Sequence, residues 1–193
     1  CVGNAWTQAV MVKLAAQIGE SSIVPLSAIS AYKQIGSSPN SGANIGDALE
    51  CGEKVGILPL DTPENRQLFG AFVMPATGFR TPWPSGDWKA IAAQFGIRKR
   101  LLIRNVPELE QAGINGHPVV VGRSSHSICY LRPSKRNGRG ELYVNSWGNW
   151  GFGAGGHAAG FGFDSAGMVA ASARYAWAVV DVTIPNYVME GLS

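Results

Sequence analysis

Charge is sparse in this chain. Only 15% of its 193 residues are Asp, Glu, Lys or Arg, and the net charge is +3, too modest for a protein that grips nucleic acid by its phosphates. The one dense basic run outside segment 132–140, Arg98-Lys99-Arg100, reads as a solvated surface patch. No apolar stretch is long enough to span a bilayer, so no membrane partner is expected and the protein should be soluble. There is no internal repeat and no heptad run, which excludes solenoids and coiled coils. The three Cys do not make the even, regularly spaced set of a disulfide framework; Cys51 and Cys129 read as buried free thiols. Nor does any Cys-x-x-Cys or His-x-x-x-His spacing occur, so neither a metal nor another cofactor is expected. No signal peptide is visible in the segment that begins at Cys1, and the compartment stays undetermined.

What is present is core-forming and organised. Hydrophobic residues make up 46% of the chain, enough for a substantial core without a split into independent units. Trp6, Val10, Leu14 and Ile18 recur at every fourth residue, which argues a helix with one buried face that starts at or just after Cys1. A thiol there sits at the positive end of the peptide dipoles. That position favours the thiolate, and a nearby imidazolium would add to it.

A second pattern concerns His126. Ser127 to Leu131 and Glu141 to Val144 are β-branched or aromatic runs, and the polar stretch from Arg132 to Gly140 reads as a hairpin loop. Pairing Leu131 with Gly140 sets His126 directly across from Asn145, about 5 Å apart at Cβ. The same register puts Ile128 against Tyr143 and sends Cys129, opposite Leu142, to the other face. A Cys, a His and an Asn supply a nucleophile, a group that takes its proton, and a group that holds the ring.

Cys1-Val2-Gly3-Asn4-Ala5, the Ser125-His126-Ser127 context and Asn145-Ser146-Trp147-Gly148 together resemble a papain-like cysteine peptidase, in the variant found among bacterial and viral members. The resemblance covers most of the chain, least clearly from Thr62 to Arg104. It implies an α+β, two-lobed fold in one domain, 1–193. A helical lobe, about 1–104, carries the central nucleophile helix and packs against an antiparallel β-rich lobe, about 105–193. It also implies thiol-dependent hydrolysis of a protein or peptide substrate with catalytic Cys1, His126 and Asn145. Gly42 and Ala43, in the Gly-rich segment from Ser41 to Ile45, would line the substrate groove with Ser125 and Trp147. Trp147 would shield the Asn–His hydrogen bond from water.

One departure matters. The family carries a Gln shortly before the nucleophile that helps bind the oxyanion, and nothing stands before Cys1 here, so an upstream segment or a second chain is expected to complete the oxyanion hole. Two other readings stay open: a non-catalytic papain-like binding or structural subunit, and an N-terminal nucleophile amidohydrolase that uses Cys1 with its own amine as base. The second would place Cys1 at the start of a strand. A cell-wall amidase of related Cys-His design ranks behind both.

Overall fold

The computed structural model describes residues 1–39, 41–70, 73–135, 140–146 and 160–190. Helix α1 (Val2–Ile18) begins directly after Cys1, which is its N-cap residue. Trp6, Val10 and Leu14 are almost fully buried, as the stripe requires, but Val2, Gly3, Ala5, Thr7 and Ala9 are buried too. The helix is enclosed on more than one side because other helices cover one flank and a sheet the other. Its approach to its neighbours depends on glycine. A Cβ at Gly3 would lie 2.6 Å from the carbonyl oxygen of Ala28 in α2 (Ala28–Ile35), and one at Gly52 in α3 (Ile45–Lys54) would lie 2.7 Å from Nε1 of Trp6.

Local chemistry sets the helix starts. The Ser27 side chain accepts from the Ser30 N–H to cap α2, and Asn44 accepts from the Gly46 N–H to cap α3. The stretch least legible in the sequence holds α4 (Pro63–Phe69), α5 (Pro75–Arg80), α6 (Trp88–Ala93) and strand β1 (Ile97–Ile103). Beyond it come α7 (Val106–Ile114), β2 (Val119–Gly122), β3 (Ser127–Ser134), β4 (Gly140–Val144), β5 (Phe161–Ser165), α8 (Ala166–Ser172), β6 (Ala176–Val182) and α9 (Asn186–Glu190). The six strands among the described residues form one antiparallel sheet in the order β1-β6-β2-β3-β4-β5. The position near residue 104 that divides the lobes by sequence thus falls just after β1, which already belongs to the sheet.

The sheet has a core on each face, as strand alternation dictates. Val120, Cys129, Val179 and Val182 pack with α1 residues Trp6, Val10 and Leu14. Val119, Val121, Ile128, Tyr130, Tyr143, Ala176 and Ala178 pack with Leu109 and Ala112 of α7 and Val169 of α8.

The hairpin of β3 and β4 exists, but its register differs from the sequence expectation. Cys129 pairs with Val144 instead of Leu142, Tyr130 instead of Ile128 opposes Tyr143, and Gly140 faces Ser134 instead of Leu131. The reason is that β3 runs on to Ser134, with an irregularity between Tyr130 and Arg132, so the loop is shorter than the polar composition suggests. At the site end the displacement is two residues, Val144 for Leu142. An even displacement keeps every side chain on its expected face. Cys129 is accordingly buried in the α1-side core. Cys51 corrects a second expectation: it is only partly buried, and its thiol donates to Oε1 of Gln34 at 3.0 Å.

Candidate active site

Two elements meet at one groove, and a third stands behind it. Cys1 comes from the start of α1, where it is exposed and its carbonyl accepts the Ala5 N–H at 2.9 Å. His126 ends the tight turn between β2 and β3, closed by the Arg123 N–H donating to the His126 carbonyl at 2.7 Å. Asn145 follows β4, is buried, and donates its backbone N–H to Gly160 at 2.8 Å.

Nε2 of His126 lies 2.7 Å from Oδ1 of Asn145. The Ser146 backbone N–H also donates to this Oδ1, at 2.7 Å, and a backbone N–H needs an acceptor, so the oxygen of the amide is the atom that faces both groups. Against an acceptor, Nε2 must carry the proton. Nδ1 is then the ring nitrogen suited to take a further one.

Cys1 and His126 line a groove of about 560 Å³, together with Gly42, Ala43, Asn44 and Ser125. Gly42 has φ +72, a turn conformation that suits glycine, with open space where a side chain would stand. Of the residues singled out by sequence, Cys1, Gly42, Ala43, Ser125 and His126 therefore line one groove, with Asn145 reached through His126. Trp147 lies outside the described residues, as does His157. His117 is not among the groove residues; its Nδ1 lies 3.1 Å from Nζ of Lys13.

A larger and mainly apolar cavity of about 1020 Å³ adjoins the groove, sharing Asn44, Ile45, Gly122, Arg123 and Ser124 with it and adding Leu102, Met168, Tyr175 and Trp177. Gly122 keeps the two connected, since a Cβ there would reach Ile45 Cδ1 at 2.8 Å and Tyr175 Cβ at 3.3 Å. Nothing in the sequence announced this cavity, because its lining comes from α3, α8 and three separate strands.

The cysteines differ in reactivity. Burial pushes the Cys129 thiol far up, and burial together with the charge of Glu50 pushes Cys51 up. Cys1 alone is exposed, and all three thiols are free. Among the described residues no group of three His, Cys, Asp or Glu could hold a metal ion. No described helix is long and apolar enough to cross a membrane.

Among solved structures the chain is similar to xylellain, a cysteine protease from Xylella fastidiosa, with a TM-score of 0.67 and 18% identity over 93% of this chain and 78% of that one. The fold is papain-like. A second similar structure is the proform of the Amb a 11 cysteine protease, a major ragweed pollen allergen, with a TM-score of 0.58 and 14% identity; the match covers 92% of this chain and spans 58% of that one. No protein-family model matches the chain. No characterised protein matches it by sequence. In papain-like terms, α1 is the central helix against the sheet, and the groove lies where the helices meet it.

Proposed function

We propose that the protein is a thiol-dependent peptide-bond hydrolase with Cys1, His126 and Asn145 as its catalytic residues. The observation that carries this reading is the 2.7 Å contact of His126 Nε2 with Asn145 Oδ1, in a groove that also presents the only exposed thiol. His126 takes the Cys1 proton at Nδ1, and the thiolate forms a bond to the scissile carbonyl carbon. As the tetrahedral intermediate collapses, the amine leaves with the proton held by His126. Water then attacks the thioester, gives a proton to His126, and releases the acid while Cys1 regains its thiol. Asn145 holds the ring through both halves. The backbone of Gly42 and Ala43 and the Ser125 side of the groove seat the peptide, and the adjoining apolar cavity suits an apolar side chain of it. We assign one oxyanion donor to the Cys1 backbone nitrogen and the second to polypeptide preceding Cys1 or to a second chain.

The N-terminal nucleophile alternative is disfavoured because Cys1 caps a helix instead of opening a strand. The test is hydrolysis of a mixed fluorogenic peptide library by wild type and by the Cys1→Ala, Cys1→Ser and His126→Ala variants. Thiol-dependent turnover that each substitution abolishes supports the reading. Turnover that survives Cys1→Ala overturns it. If neither hydrolysis nor selective alkylation of Cys1 occurs, even with an upstream segment restored, the non-catalytic subunit becomes the better account.

A further inference from the structure

Behind the turn that carries His126 lies a polar cluster that the reaction itself does not use. Asp164 of β5 is 3% exposed at its side chain, and its carboxylate takes a hydrogen bond from Nη2 of Arg123, the first residue of that turn. The same carboxylate oxygen accepts the Tyr130 hydroxyl. Nη2 of Arg123 also reaches the Tyr130 hydroxyl at 3.5 Å, and the guanidinium lies 5.2 Å from the ring centre of Tyr143. Tyr143 in turn meets Tyr130 edge-on at 6.1 Å. Arg123 is thus held in three ways from β3, β4 and β5, while its backbone N–H closes the turn on the His126 carbonyl at 2.7 Å.

We propose that Arg123 and Asp164 are positioning residues for His126: the buried carboxylate anchors the guanidinium, and through it the four-residue turn that aims the imidazole into the groove. A short exposed turn has little of its own to hold it, since Ser124 and Ser125 both face solvent. The restraint on His126 then comes from two sides. Asn145 fixes the ring at Nε2, and Asp164 fixes the backbone through Arg123. Cys1 stands on α1, packed on the opposite face of the sheet from this cluster, so the anchor registers the His-bearing lobe independently of the nucleophile helix.

The proposal rests on the thiol-hydrolase reading, and the experiment separates the two. The second-order rate of Cys1 alkylation by iodoacetamide would be followed from pH 4 to 10.5 in wild type, His126→Ala, Asp164→Asn and Arg123→Lys. Glu53→Gln, which removes the partly buried ion pair of Arg100 with Glu53, serves as a control. Circular dichroism would select the folded variants. In wild type the acidic limb of the profile reports the thiolate–imidazolium pair, and His126→Ala should abolish it. Asp164→Asn and Arg123→Lys should lower the rate on that limb by about tenfold or more, since an ångström of misplacement can cost on the order of 10² in rate. Above pH 9, where the thiol ionises unaided, they should match wild type, and Glu53→Gln should match it throughout. Should Asp164→Asn not fold, Arg123→Lys, which keeps the charge but not the planar fork, decides alone. A folded variant with an unchanged acidic limb overturns the anchor while leaving the catalytic reading intact. An acidic limb that His126→Ala does not alter overturns both.

Discussion

His126 and Asn145 meet through Nε2 and Oδ1 at 2.7 Å, and the same oxygen takes the Ser146 backbone N–H. The amide is therefore locked in orientation before it touches the imidazole. Asn145→Ala should lower kcat/KM for peptide hydrolysis by about 10²-fold. Its stability cost should be only about 1–2 kcal/mol, the loss of one buried acceptor. Steady-state kinetics paired with thermal denaturation check this; a folded variant with full activity would remove Asn145 from the site.

Accessibility ranks the three thiols, and the upward shifts of Cys51 and Cys129 reinforce that order. Iodoacetamide at pH 6 should label Cys1 first, Cys51 more slowly and Cys129 only on unfolding, because Cys51 is partly buried with its thiol pushed up and Cys129 is fully buried. Peptide mapping over time gives the order. Equal labelling of Cys1 and Cys129 in the folded protein would contradict it.

Glu141 is a liability of the sheet. It is 1% exposed on β4 directly opposite Asp164, and among the described residues neither of its carboxylate oxygens has a hydrogen-bond partner. Burial, reinforced by the charge of Glu110, pushes its pKa up from 4.5 to about 8. Below the unfolded value both states hold the proton, and above the folded value neither does. Between the two only the folded chain keeps it, so stability present at pH 4.5 is lost as the pH rises toward 8, by ~1.4 kcal/mol per pH unit. Glu141→Gln should remove that slope. Urea unfolding at pH 5 and pH 7.5 tests it, and the same pH slope in wild type and variant would refute the assignment.

Close helix contact at the head of α1 can be tested at Gly3, where a methyl group would run into the Ala28 carbonyl oxygen at 2.6 Å. Gly3→Ala should destabilise the fold by about 1–3 kcal/mol, the usual range for overpacking, despite the better helix propensity of Ala. It should also slow peptide hydrolysis, because α1 must shift where it carries Cys1. Unchanged stability would mean that α2 yields freely.

The outcome at the hairpin shows how much of the site was legible. Composition marked both strands, and period-two alternation put His126 and Asn145 on one face even though the register assumed was wrong, because the true pairing differs there by an even number of residues. The exact partner of each residue was not legible. A loop's polarity does not say where pairing stops, and Arg132, Pro133 and Ser134 are polar or breaking residues that nonetheless continue β3.

Local pattern by itself determined the helix behind Cys1, the two strands of the hairpin beside His126 and the candidate Cys, His and Asn, because each depends on residues close in sequence. Tertiary structure alone decided that α1 is enclosed on several sides, that Arg123 finds Asp164, that the apolar cavity opens beside the groove, and that Glu141 is buried with no hydrogen-bond partner among the described residues. These features join residues from strands and helices far apart in the chain. Periodicity records which face a side chain takes, but which distant side chain meets it there is set only when the layers close on one another.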